Sequence, residues 1–282
     1  LNEFVWEGVS LMWNISYFGI GLIALGGLIA PGNDGTARAQ DMMRHVDLQS
    51  PAFTQSELTR AELEHKLAAL KKGETLDLSA RALNGLDLSG LDLRRTKLQS
   101  ARLNNANLKG ANLDGVVLDQ AWALMADLTD ASLEGSSLFM TQFVGAKLNG
   151  ANFKDARVAA NMTRASLKGA SFEGANLSAD LTNQSMGLMR GVFSSADLEG
   201  ASFEGANLAR VLMEYANLRG ANFAGADLSG SELAGANLSG ANVAGANFKD
   251  ADVNSAQLSG LLGIDKALNF ERANNLDRAF RD

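Results

Sequence analysis

Chemistry in a protein chain needs side chains that trade protons, hold metals or attack bonds, and here most of them are scarce. The 282 residues include no Cys and only two His, at positions 45 and 65. A thiol nucleophile, a thiolate metal site and a disulfide frame are therefore excluded, and general-base or triad chemistry has almost no imidazole to use. His65 falls in a polar helical stretch and reads as a solvated side chain. Carboxylates are plentiful, but they alternate with Asn in regular rows, as at Asn107, Asn112 and Asp127. Acid or base work requires a desolvated pocket that shifts a pKa, and repeated rows on a regular wall offer none. A calcium-binding β-roll also repeats Gly and Asp, but with a period of nine. No phosphate loop or dinucleotide fingerprint is present. The residues point away from an enzyme, and to no cofactor and no metal.

The elements that set these rows count in fives. In "GANFAGADLSGSELAGANLSGANVAGANFKDADV", residues 220 to 253, a large apolar residue recurs at Phe223, Leu228, Leu233, Leu238, Val243, Phe248 and Val253. The same spacing runs from Leu78 through Leu118, passes Ala123, and continues from Leu128 to Val158. A small residue stands two positions before most of these centres, Asn or Asp one before, and Gly very often two after. Neither the helical period of 3.6 nor the strand period of 2 sustains this pattern. Three extended residues turn the first and third side chains to one face and the middle one away, so Ala and Leu go in and Asn or Asp goes out. The remaining two turn a corner, where Gly tolerates positive φ. Corners repeated in one sense wind a solenoid whose coils stack by backbone hydrogen bonding.

Units such as "ANLKG", "ADLTD", "ANFAG" and "ADLSG" resemble the A(D/N)LXX motif of the pentapeptide repeat family. That resemblance, over residues 76 to 260, implies an all-β solenoid, a right-handed quadrilateral β-helix with four units per coil. The span from 78 to 258 then makes about nine coils, and at ~4.8 Å per coil a rod on the order of 43 Å. The register slips at Met162, Leu167, Phe172 and Leu177, slips again at Leu181, and returns at Leu188, so "TNQSMGL", residues 182 to 188, is expected as a bulge or protruding loop. The first units depart from the pattern, with Leu76, Arg81, Leu86 and Leu91 where Ala is expected.

Ahead of the repeats, residues 8 to 30 carry no charge and are long enough for a transmembrane helix. Trp6, Trp13 and Tyr17 lie toward one interface, and Gly19, Gly21, Gly26 and Gly27 suit close packing against another membrane helix. Arg38 and Arg44 follow the span with no basic residue before it, which places the repeats in the cytoplasm. The alternative is a cleaved signal peptide, with "ARA" at 37 to 39 before Gln40 and a periplasmic or secreted solenoid. Residues 31 to 53 read as a linker with a short helical piece at 40 to 46. Residues 54 to 73 read as a capping helix, with a Thr54 and Glu57 capping box, a Leu63, Leu67, Leu70 stripe and a Gly73 stop. Residues 261 to 282 read as a C-terminal cap with a helical turn or two.

Where an outward wall should be polar, Val117, Trp122, Leu124, Met125, Phe139, Met140 and Val144 are apolar. Asp114, Asp119, Asp127, Asp130 and Glu134 surround them, with no Lys or Arg between 110 and 146. Such a cluster marks an interaction surface, unless the side chains fill irregular corners or touch the linker. Val192, Leu212 and Tyr215 form a smaller group. Together these features predict a membrane-anchored structural or adaptor protein, an accessory subunit docking on a membrane protein complex, with lipid contacted through residues 8 to 30. Some relatives in the resembled family imitate DNA and bind topoisomerase. Residues 74 to 260 hold 20 acidic and 15 basic residues, a poor imitation of a phosphate backbone, so nucleic-acid mimicry is the weaker expectation.

Overall fold

The computed structural model describes residues 47–181 and 189–281. Two helices come first, α1 (Pro51–Thr54) and α2 (Arg60–Ala68), then two short strands, β1 (Leu76–Asp77) and β2 (Thr96–Lys97). Beyond them the chain is a succession of single parallel bridges closed by three 3-10 turns at Ile264–Lys266, Phe270–Arg272 and Leu276–Arg278.

Each five-residue unit is one side and one corner. At Leu108 the backbone N–H donates to Asp127 O in the next coil at 2.6 Å, while Asn107 N–H donates to Leu86 O in the previous coil at 3.0 Å. Ala111 N–H then donates to Leu108 O at 3.0 Å, closing a turn whose third residue, Gly110, has φ 62°. That left-handed conformation suits Gly, which adopts positive φ at no steric cost. The unit therefore satisfies its backbone groups through neighbouring coils and leaves its side chains to sort inward or outward. One side ascends Ala82, Arg102, Trp122, Gln142, Asn161, Val192, Leu212, Glu232, Asp252 and Asn274.

The interior is as the alternation requires. The centres and the small residues two positions before them are buried, among them Leu108, Ala123, Phe223 and Ala111, while Asn107 is exposed and Asn112 and Asn222 are partly so. Phe rings stack in a column, Phe153 on Phe172 at 4.7 Å, Phe172 on Phe203 at 5.0 Å and Phe203 on Phe223 at 5.1 Å, all within a few degrees of parallel. A narrow core of Ala and Leu thus gains area where Phe replaces Leu in register.

One corner breaks the register twice. Between Val158 and Met162 a residue is missing, so Gln142 pairs with Asn161 across 19 positions in place of 20. Directly above, the corner between Leu177 and Phe193 is expanded, and Asp180 bridges Met189 in antiparallel sense. Residues 182–188, expected as a protruding loop, lie outside the described residues, as does the expected centre Leu188. Leu181 is a correction: it is 51% exposed, because the core passes from Leu177 straight to Phe193.

The N-terminal cap is shorter than expected. The helix begins at Arg60 and the capping box is Thr59 with Glu62, not Thr54 with Glu57. The reason is competition: Glu57 accepts from Arg81 at 2.9 Å and from the Ala82 N–H at 3.2 Å, and Ser56 pairs antiparallel with Leu83, which ties this stretch to the first coil ahead of the helix. Thr54 closes the separate turn α1 by donating to Ser50 O. Leu63 is fully buried and Leu58 and Leu67 pack on the core, so α2 does close the open end. No helix among the described residues is long and apolar enough to cross a membrane. The apolar run 8 to 30, with Gly19, Gly21, Gly26 and Gly27, and the helical piece expected at 40 to 46, lie outside them.

At the other end the solenoid runs past residue 260. Asn242, Asn247, Asp252 and Gln257 pair with Leu262, Leu268, Asn274 and Phe280, so successive sides gain a residue. The sequence shows why: "GIDKA", "NFERA" and "NNLDRA" put a left-handed residue, Gly263, Asn269 or Asn275, before each 3-10 turn. Gly263 is obligatory there, since a β-carbon would lie 2.6 Å from that of Ala244.

The outward ladder and the inward column should respond differently to truncation. Phe203→Ala should lower the free energy of unfolding in urea by about 3–5 kcal/mol, whereas Asn207→Ala on the same coil should cost about 1 kcal/mol or less.

Candidate docking face

The apolar cluster lies on and beside the side that contains Trp122. Its residues at the position after each centre stack as Asn84, Asn104, Leu124 and Val144. The first two are buried amides with a common task. Asn84 Nδ2 donates to Ala52 O at 3.0 Å and Gln55 O at 2.9 Å, and Asn104 Nδ2 donates to Phe53 O at 3.4 Å. Their oxygens face the other way, Asn84 Oδ1 accepting from Asn104 N–H at 3.1 Å and Asn104 Oδ1 from Leu124 N–H at 3.0 Å. A two-rung amide ladder therefore ties residues 52–55, here called the strap, to the rod. Phe53 completes the attachment, meeting Trp122 edge-on at 5.1 Å.

The seven predicted residues accordingly separate. Trp122 is half-buried beneath the strap and is not a free surface ring. Met140 is a correction, being 7% exposed: it occupies a corner whose next level is the shortened one, and its N–H donates to Ala159 O at 2.8 Å. Phe139, in the same corner, is half-buried under the Arg157 guanidinium, 5.2 Å from its ring centroid. Leu124 and Val144 are half-buried. Met125 is 62% exposed and lies over Gly145, leaving no room for a β-carbon there. Val117 is exposed on the adjacent side, paired with Ser137. Leu124, Met125, Val144 and Phe139 thus remain at the surface, with Val117 around the corner.

Met125 and Met140 also have φ near +57°, at 56° and 59°. Bulky side chains carry a backbone cost there that Gly does not, and several polar residues accept the same cost elsewhere on the rod. The smaller group behaves similarly: Val192 is nearly buried, Leu212 half-buried, and Tyr215 exposed with φ 57° and its ring over Gly235.

The acids here are largely engaged. Asp119 Oδ1 accepts from Ser137 Oγ at 2.6 Å and Phe139 N–H at 2.9 Å, and Asp114 Oδ1 accepts from Ser132 Oγ and Glu134 N–H. At the foot of the strap, hydrogen bonding from Arg81 first and the Ala82 N–H second holds the Glu57 carboxyl below its ordinary 4.5. A cleft of about 470 Å³ lies elsewhere, at the irregular corner lined by Arg157, Ala159, Asn176, Ser178, Asp180 and Leu181. It joins one guanidinium and one carboxylate already ion-paired at 3.4 Å, which is not an acid–base pair poised for catalysis. Among the described residues, no three His, Asp or Glu come together as a metal site.

Trp122 against Phe53 is the linker contact that the sequence reading gave as its alternative, whereas the Asn84 and Asn104 contacts escaped that reading. Asn84 and Asn104, 20 residues apart at a normally variable position, were the available signal, but the role of Phe53 depends on a tertiary contact that no periodicity encodes.

A parallel ladder with 20-residue steps, inward Ala and Leu, and left-handed corners defines a β solenoid of five-residue units. The model of pentapeptide repeats matches residues 77–121, 126–159, 158–183, 192–230 and 226–260, and the chain belongs to that family. Among solved structures it is similar to HetL, a pentapeptide repeat protein involved in heterocyst differentiation regulation from the cyanobacterium Nostoc sp. The identity is 27% over 73% of this chain and 92% of that one, with a TM-score of 0.55. It is also similar in fold to full-length QnrB1, a plasmid-mediated fluoroquinolone resistance protein, at 19% identity over 74% and 93% of the two chains, with a TM-score of 0.51. No curated protein matches.

Two outcomes test the strap. Asn104→Ala removes the partner of two backbone groups and should cost about 1–3 kcal/mol in chemical unfolding. The contribution of Glu57 is present above its ordinary pKa and is lost as pH falls through its lowered folded value. Proteolysis within residues 52–58 should therefore accelerate as pH falls below the ordinary Glu range, and Glu57→Gln should weaken that pH dependence.

Proposed function

We propose that this protein is a non-enzymatic docking rod, a right-handed quadrilateral β-helix of about nine coils. In this reading it is tethered to a membrane and serves as an accessory subunit of a larger membrane protein complex. The observation that carries the docking role is the apolar set of exposed Met125 and half-buried Leu124, Phe139 and Val144, extended by exposed Val117, within a stretch from 110 to 146 that has acids and no Lys or Arg. Polar walls cover the neighbouring coils, so this face departs from what solubility alone asks of a solenoid. Met125 strengthens the reading, because a long apolar side chain stands at a left-handed corner where Gly would fit without strain. The involvement of HetL in heterocyst differentiation regulation is in keeping with a fold used for binding.

The tether rests on the uncharged run 8 to 30, whose Gly19, Gly21, Gly26 and Gly27 suit packing against a partner helix, and on Arg38 and Arg44, which favour a cytoplasmic rod. The second reading, a periplasmic scaffold released by cleavage before Gln40, is favoured by "ARA" at 37 to 39, and N-terminal sequencing of the cellular protein separates the two. Nucleic-acid mimicry has less support: 20 acids stand against 15 bases in residues 74 to 260, and the likeness to QnrB1 is one of fold.

The full chain, extracted in mild detergent, should co-purify with membrane proteins, and Val144→Asp should reduce that recovery about tenfold with the unfolding midpoint unchanged. Recovery of a lone monomer, or recovery indifferent to Val144→Asp, would contradict the proposal.

A further inference from the structure

The two ends of the rod differ in what can meet them. At the first coil α2 lies over the core and buries Leu63. Above the last coil, among the described residues, nothing stands. Leu262 shows the consequence: its N–H donates down to Ala241 O at 2.9 Å and its carbonyl accepts from Val243 N–H at 2.8 Å. Planar trans peptides then turn the Leu261 carbonyl and the Gly263 N–H the other way, out of the rod. Leu268, Asn274 and Phe280 are held from below in the same manner, so each of the four sides presents one carbonyl and one N–H beyond the end. Such an edge is a template for further pairing. A linear segment can follow only one side before the edge turns a corner, whereas an edge of the same square outline meets all four.

The side chains change at this level too. Leu262 stands over Asn242 and Asn222, Leu268 over Asn247 and Asp227, and Phe280 over Gln257 and Asn237. Outward positions that are polar below thus become apolar, and the three are 59%, 54% and 62% exposed. With the N-terminal edge closed by α2, the matching outline is the same end of a second copy, related by a two-fold axis.

We propose that the protein pairs end to end with a second copy through this last coil, in one defined register. A coil climbs about 4.8 Å over its four sides, so two facing ends seat flush only where the lowest side of one meets the highest of the other. Leu262 then lies opposite the partner's Phe280, and Leu268 opposite the partner's Asn274. All four pairs run antiparallel, the opposed residues flanked by backbone hydrogen bonds, as from the Gly263 N–H to the carbonyl of the partner's Ala279. Leu262 against its own copy would leave that side open by about one strand spacing. The charges of the coil accommodate this register. Each 3-10 turn carries an acid followed by a base, Asp265 and Lys266, Glu271 and Arg272, Asp277 and Arg278, and Arg281 stands at the fourth corner. Glu271 and its copy come to the axis between the two Arg272 side chains, and Asp265 and the partner's Asp277 lie between Lys266 and the partner's Arg278, so every acid has a base of the other copy beside it. The pairing uses neither the docking face nor the membrane tether, and it stands or falls apart from both.

The absence of Cys makes the test direct. Full-length Leu262→Cys and Phe280→Cys chains, mixed and mildly oxidised, should form a mixed disulfide between two molecules, identified as a linked peptide by mass spectrometry, because opposed residues of this kind lie within disulfide reach. Either variant alone should link at least about tenfold less, its two thiols then lying on different sides of the square. Both positions are exposed, so the thiols leave the core intact. Glu271→Arg in both chains should lower the mixed link about fivefold by crowding the axis with like charge, and adding Arg272→Glu should restore it. No mixed link, a link as abundant in either variant alone as in the mixture, or a yield that the exchanged charges do not restore would overturn the inference.

Discussion

The structure depends on one constraint: every unit must keep two side chains dry while its backbone finds hydrogen-bond partners only in the coils above and below. Leu108 shows both halves, its side chain fully buried and its N–H given to Asp127 O. Because neighbouring coils supply the backbone partners, the sides can be short, and because they are short, the interior is narrow. A narrow interior explains the Ala and Leu content, the single column of stacked Phe rings, and the recurrence of left-handed corners. Outward residues stand on walls that are hydrated on one side and bonded to their neighbours, and the concavity at the irregular corner holds an ion pair already satisfied.

The same constraint makes the ends and the interruptions informative. A solenoid has two open edges, and this one treats them differently. At the start, Ser56 adds one antiparallel bridge and α2 buries Leu63 over the first coil. At the finish, the sides widen through "NFERA" and "NNLDRA" with 3-10 turns, leaving Leu262, Leu268 and Phe280 exposed. In the middle, the shortened corner at Ala159 lies beneath the expanded corner that follows Leu177, so loss and gain of residues compensate at one edge and the ladder resumes at Val192.

Much of this was legible in the sequence because the period of five is a direct consequence of the geometry. The inward and outward assignments of Leu108, Asn107, Phe223 and Asn222 follow from side-chain alternation alone. Legibility failed where a long-range contact outcompeted a local signal. Thr54 and Glu57 have capping-box spacing, yet Arg81 and Ala82 claim the carboxylate. Leu181 continues the count of centres but lies in an expanded corner and faces water. Within the candidate face, composition alone identified the apolar departures, but it could not separate Met140, buried by the shortened corner above it, from Met125, which stands free over Gly145.

The central claim, that alternate residues of each unit enter a dry column, is tested most directly by thiol accessibility in this Cys-free chain. Single substitutions at Asn107, Asn222 and Asn237 should react with a charged maleimide within minutes under native conditions. Substitutions at Leu108, Phe223 and Leu238 should stay protected until the chain is unfolded. Rapid labelling at the second set with protection at the first would invert the rod and contradict the account.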